Sequence, residues 1–164
     1  THIVTVDLAT LEPVAVQPAP NAAATPVYGF SIAHDANYTY LFGHHDLLPT
    51  NFMDDGHRLW LIDWEYGAFG TAMFDLANLA SNSSLGRMEE HALLETYFER
   101  PPTDAVWRSF DAMKTAAALR ESVWGMVSEL YLNAPGVDYI AYAEDYLQRF
   151  ETVLAAYEFK YGKL

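Results

Sequence analysis

The segment that most restricts this chain is His44-His45-Asp46-Leu47-Leu48-Pro49-Thr50-Asn51, with Leu61-Ile62-Asp63-Trp64-Glu65-Tyr66 a short way beyond it. Between the two, apolar runs flank Asp55-Gly56, a pair suited to a hairpin turn because glycine accepts a positive φ and aspartate bonds its own backbone. A hairpin closed there sets Asn51 at the start of one strand and Asp63 at the end of its partner. Both then lie at the same open end. Two oxygen donors suited to a hard cation become neighbours with no long-range contact assumed. Asp46 precedes them in the spacing H-x-D-x-x-x-x-N.

The sequence on either side of residue 43 reads differently. Residues 1–42 alternate apolar and polar positions, at Ile3, Val4, Val6 and Leu8 and again at Val14 and Val16. They continue through a Pro/Ala-rich stretch, Gln17 to Pro26, to a second hairpin-like segment, Tyr28 to Phe42, with Asp35-Ala36-Asn37 at its turn. After Gly70 the period becomes helical. Helices are expected at Ala72 to Asn82, at Arg87 to Glu99, from Ala105 to about Leu132 after a cap at Thr103 or Asp104, and from about Asp138 to Phe159. Ile140, Leu147, Phe150 and Leu154 are expected to form the buried stripe of the last one. Fold class is therefore α+β, a mostly helical lobe with a loop-bearing hairpin, preceded by a short β-rich segment. The expected division is 1–42 and 43–164.

Charge narrows the partners. Nine Lys+Arg against 22 Asp+Glu give a formal net charge of -13, which repels nucleic acid and favours small cations near a cleft. Cysteine is absent, so disulfides and thiolate metal sites are excluded. No apolar run approaches the roughly 18 residues of a membrane span, and the expected location is cytoplasmic. The chain opens on Thr1, as a piece of a longer protein would.

Taken with Phe74-Asp75-Leu76-Ala77-Asn78 behind the hairpin, the motif resembles the choline/ethanolamine kinase and aminoglycoside phosphotransferase superfamily, of protein-kinase-like fold. His44 to Asn51 is similar to its catalytic loop and Leu61 to Tyr66 to its metal-binding segment. Glu121-Ser122-Val123-Trp124-Gly125-Met126 and Asp138-Tyr139-Ile140-Ala141-Tyr142-Ala143 resemble C-terminal helices of the choline kinase branch. The likeness runs from about Gly43 to Tyr161 and implies a C-terminal lobe; residues 1–42 fall outside it, and Tyr28 to Gly43 is similar to a β-propeller repeat.

The resemblance implies ATP as phosphoryl donor, Mg2+ as cofactor and a small amino alcohol as acceptor. Asp46 would take the acceptor hydroxyl's proton, Asn51 and Asp63 would hold Mg2+, and His44 would brace the loop. Asp75 would bond that loop; a carboxylate in a helix's first turn is also favoured by the dipole. Trp124, Tyr139 and Tyr142 would offer aromatic faces to a quaternary ammonium, which cannot donate hydrogen bonds, although helical aromatics also serve simply as core. Val127 stands where that branch often has a second Trp, which leaves ethanolamine or another hydroxylated amine open. Glu65, two residues after Asp63 on an extended chain, would share its side and add negative potential; an ion pair is the other use. Asp46 and Asn51 are common turn residues as well, and His44-His45-Asp46 also has the composition of a transition-metal site.

Kinases of this type add a glycine-rich loop and a lysine ahead of the catalytic loop. Here the lysines are Lys114, Lys160 and Lys163. The expectation is an incomplete ATP site and weak or no turnover by this chain alone. A non-catalytic interaction module and an aminoglycoside-type phosphotransferase are the alternatives.

Overall fold

The computed structural model describes residues 2–6, 13–18, 32–34, 39–132 and 134–163. The chain divides into two compact units, Thr1–Asp75 and Leu76–Leu164.

The first unit is built from short antiparallel pairings. Strands β1 (His2–Val6) and β2 (Pro13–Pro18) pair with a register shift between Thr5 and Val6. Strand β3 (Ile32–His34) pairs with β4 (Thr39–Gly43), and the turn expected at Asp35-Ala36-Asn37 between them lies outside the described residues. The Pro/Ala-rich stretch beyond Pro18, and Tyr28 to Ser31 of the propeller-like segment, lie outside the described residues. β4 runs through residue 43, where the composition changes. On its other edge it pairs with β7 (Ala68–Gly70), setting Phe42 opposite Phe69. Only three residues long, β7 lacks a readable alternation.

β5 (Phe52–Asp54) and β6 (Leu59–Leu61) form the expected hairpin, in register Phe52 to Leu61. Its loop has four residues. Asp55 organises it by accepting the backbone N–H groups of His57 (2.9 Å) and Arg58 (2.7 Å), while Gly56 takes φ +82. A side-chain carboxylate thus replaces the backbone bonds of a tighter turn.

Helix α1 (Ala72–Asn82) begins in the first unit and continues into the second. There it is followed by α2 (Arg87–Phe98), α3 (Asp104–Tyr131) and α4 (Tyr139–Tyr161). Thr103 caps α3 and Asp138 caps α4, each accepting an early backbone N–H that the helix cannot satisfy itself. The core of this unit includes Leu94, Phe110, Ala117, Ala118 and Tyr157. Buried Glu90 of α2 is bonded by Arg87 (3.1 Å) and by Lys114 of α3. Asp111 of α3 is held by Arg87 (2.8 Å), by Lys160 (3.2 Å) and by the Tyr161 hydroxyl (2.8 Å) of α4.

The buried stripe expected on α4 is corrected at Ile140, which is 55% exposed; Leu147, Phe150 and Leu154 are half-buried, and the fully buried positions are Tyr139, Ala143 and Tyr157. The cause lies across the seam. α3 presents Ser122, Gly125 and Ser128, all buried, and a Cβ on Gly125 would stand 3.0 Å from that of Ala143. Small residues let the two helices approach closely, since side-chain size sets interaxial distance. The Ser122 hydroxyl donates to the Ala143 carbonyl (3.0 Å) across that contact.

Candidate active site

Strand β4 ends at Gly43, and the chain turns at once into the motif loop. The turn is held from behind by Asp75, in the first turn of α1, whose carboxylate accepts the backbone N–H groups of His44 (2.7 Å) and His45 (2.8 Å). His45 takes the left-handed conformation, φ +62. For a residue with a Cβ that costs about 1 kcal/mol or more, so the Asp75 bonds oppose a real tendency to relax. Space is equally constrained. A Cβ on Gly43 would lie 2.6 Å from Asp75 Oδ2, and one on Gly70 would lie 2.3 Å from the His45 ring. His45 stacks on Phe74 at 5.5 Å.

Four hydrogen bonds then close a circuit. The Asp46 N–H donates to His44 Nδ1 (3.2 Å), and His44 Nε2 donates to the Ile62 carbonyl (2.8 Å). The Ile62 N–H donates to the Asn51 carbonyl (3.0 Å), and Asn51 Nδ2 donates to the Asp46 carbonyl (2.9 Å). A backbone N–H can only donate and a carbonyl can only accept, so the His44 ring carries its hydrogen on Nε2. His44, 1% exposed, thus ties the loop to the end of the hairpin, and the edge of Trp64 packs against it at 4.8 Å. Both of its ring nitrogens are occupied, so His44-His45-Asp46 is not a transition-metal chelate.

The circuit sets the backbones of Asp46, Asn51 and Ile62 relative to one another. Asn51 lies in a 3-10 turn, Pro49–Asn51, and is buried. Because its amide nitrogen is spent on Asp46, its oxygen is the end left for a cation. Asp63 follows Ile62 directly, with φ +64. An amide oxygen and a carboxylate are hard donors, the chemistry Mg2+ takes, and Mg2+ commonly needs only one or two protein ligands besides phosphate and water. The donor set fits. Among the described residues no three His, Cys, Asp or Glu side chains converge on a further metal site.

Glu65 departs from the extended geometry expected for it. The chain bends at Asp63, and Trp64 to Gly67 form a turn closed by the Gly67 N–H on the Trp64 carbonyl (2.9 Å), so two-residue alternation does not set where Glu65 points. Trp64 stacks on Phe42 (6.3 Å) and donates Nε1–H to the Leu61 carbonyl (3.0 Å), supporting the site from the side.

The aromatic candidates gather separately, in the second unit. The Gly125–Ala143 contact brings Trp124 of α3 beside Tyr142 (5.4 Å) and Tyr139 (5.8 Å) of α4. Tyr139 is buried and backs Trp124, whereas Trp124 and Tyr142 are partly exposed. Tyr142 donates its hydroxyl to Glu121 (2.7 Å), whose other oxygen accepts from Arg120 (2.7 Å). Burial and the carboxylate push the Tyr142 phenol far above its ordinary range. Glu121 itself is 4% exposed. Sequence reasoning gave no role to Glu121, Gly43 or Gly70. For the first, its place beside Trp124 in the motif was the available signal; close approach to a glycine leaves none.

The fold that carries this loop is kinase-like. The profile of the phosphotransferase enzyme family, APH, matches residues 15–120, and the chain belongs to this family. The match begins ahead of Gly43, where the likeness read from the motifs began. Protein LicA of Haemophilus influenzae is 39% identical over 54 residues, 33% of this chain and 20% of LicA. A choline/ethanolamine kinase family protein from Mesorhizobium loti superposes with a TM-score of 0.64 at 27% identity, over 70% of this chain and 39% of that one. For choline kinase LicA from Streptococcus pneumoniae the TM-score is 0.54 at 28% identity, over 71% and 40%. The chain spans about a fifth of the curated relative and about two fifths of each solved structure.

Proposed function

We propose that this chain carries the acceptor and metal half of an ATP-dependent phosphotransferase whose substrate is the hydroxyl of a small amino alcohol of the choline or ethanolamine type. The observation that carries the reading is the hydrogen-bonded circuit through Asp46, His44, Ile62 and Asn51, which sets the loop against the start of the Asp63 segment. Asp46 orients the acceptor hydroxyl and takes its proton as the oxygen attacks the terminal phosphoryl group. His44, with one ring nitrogen accepting and the other donating, positions Asp46 and moves no proton. Asn51 and Asp63 would hold Mg2+, which supplies charge neutralisation across the donor phosphates. The acidic surface, net charge -13, draws cationic substrates and suits no nucleic acid.

Kinship with choline kinases and the Trp124–Tyr142 pair support the amino-alcohol class. Among the described residues no helix is long and apolar enough to cross a membrane.

The test measures ATP-dependent phosphorylation of choline and ethanolamine, with Mg2+-ATP and choline binding followed by calorimetry. Asp46→Ala should abolish whatever weak turnover the chain shows with nucleotide binding retained. Asp63→Asn should weaken Mg2+-dependent nucleotide binding by at least about tenfold, some 1.4 kcal/mol. Phosphorylation unchanged in Asp46→Ala would overturn the mechanism. Failure to bind either Mg2+-ATP or choline would make the chain an interaction module instead.

A further inference from the structure

We infer that Glu121 is a positioning residue for cation selectivity: through its hydrogen bond to Tyr142 it makes the Trp124–Tyr142 pair prefer a quaternary ammonium over a neutral group of the same shape. The inference rests on the amino-alcohol reading and adds to it a carboxylate that the aromatic candidates do not include.

Three observations place Glu121 in that role. It is almost wholly buried, and a carboxylate is rarely removed from water without a use for its charge. Oε2 accepts the Tyr142 hydroxyl at 2.7 Å, so the charge is relayed into a ring that forms one side of the pair. Arg120 bonds the other oxygen, Oε1, giving the buried carboxylate a counter-charge from the side away from Tyr142's bond.

Attraction of a cation to a ring face depends on the electron density of that face. A phenol donating to a carboxylate shifts charge onto its oxygen and ring. A neutral ligand does not sense that charge. Tyr146, 4.7 Å from Tyr142, extends the aromatic surface but bonds Asn82 rather than a carboxylate. Of these two half-buried tyrosine rings, Tyr142 is the one whose hydroxyl donates to a carboxylate.

Calorimetric titration with choline and with its neutral isostere 3,3-dimethylbutan-1-ol tests this on the wild type and Glu121→Gln. Glutamine keeps an acceptor for Tyr142 and removes the charge. The expected result is choline binding weakened about fivefold, with binding of the neutral alcohol unchanged and the circular dichroism spectrum of the wild type. Adding Glu121→Gln to Tyr142→Phe should then cost little more, because the path through the phenol is already cut. Equal weakening of both ligands would make Glu121 merely structural and overturn the inference, as would no change in either. If the wild type binds the neutral alcohol as tightly as choline, the inference fails while the pocket stands. If the wild type binds neither, the amino-alcohol reading itself falls, and the inference with it.

Discussion

Replacing Asp75 by Asn keeps the side chain's shape and converts one of its two acceptor oxygens into a donor. In the wild type the carboxylate takes the N–H groups of His44 and His45 at 2.7 and 2.8 Å, and only 7% of the residue is exposed. The amide can accept from one of them, leaving the other facing an NH2 group. Loss of a bond to a charged acceptor costs about 1.5–3 kcal/mol, and an unsatisfied buried N–H about 1–3 kcal/mol. These overlap, because the same N–H is counted in both. The left-handed backbone of His45 gives back about 1 kcal/mol as the loop relaxes. The opening free energy of the loop should therefore fall by about 2 kcal/mol, so the two amides should exchange with solvent roughly 30-fold faster. Native-state amide exchange at His44 and His45 is the assay, with urea unfolding alongside to separate local opening from global loss. Exchange within about threefold of wild type at both amides would refute the argument that Asp75 holds the loop.

Gly43→Ala and Gly70→Ala each drive a methyl group into an occupied space, against Asp75 Oδ2 and the His45 ring, and should cost about 1–3 kcal/mol in urea unfolding. Gly56→Ala is the contrast: nothing lies within 4 Å of its Cβ, and only its φ of +82 opposes the change, at about 1 kcal/mol and without effect on nucleotide binding. For Asp111, burial works to raise the carboxyl, but hydrogen bonds from Arg87, Tyr161 and Lys160 outweigh it and hold the group below the usual carboxylate range. A depressed carboxyl stabilises the fold above its unfolded value and loses that contribution as pH falls. The stability difference between wild type and Asp111→Asn should therefore be full near neutrality and shrink as pH falls below about 4. A difference that stays constant from pH 7 to pH 3 would contradict the ion-pair account.

The four helices were legible within a residue or two at each end because their start and stop chemistry is local. Thr103 and Asp138 cap where they stand, and Pro101-Pro102 and Pro135-Gly136 cannot continue a helix. The hairpin was legible for the same reason, with Asp55-Gly56 between two apolar runs. The start of the buried side of α4, at Tyr139 and Ala143 rather than Ile140, was not. The deciding residues are Ser122, Gly125 and Ser128 on a different helix, and small polar side chains carry no apolar period. β7 escaped notice because three residues that end in a glycine form a strand only when β4 is there to pair with them.

By itself, then, the sequence determined which groups the proposed site contains. Asp46, Asn51 and Asp63 are recognisable because the chemistry demands those side chains at a spacing that one loop and one hairpin can close. Tertiary structure decided what holds them. The Nε2–H form of His44 depends on a carbonyl 18 residues away, and the left-handed turn at His45 on a carboxylate 30 residues away. It likewise decided that Glu121 would stand behind Tyr142, 21 residues apart on facing helices. A short-range pattern records the identity of reacting groups. The bonds that orient them join residues that meet only once the strands and helices have packed.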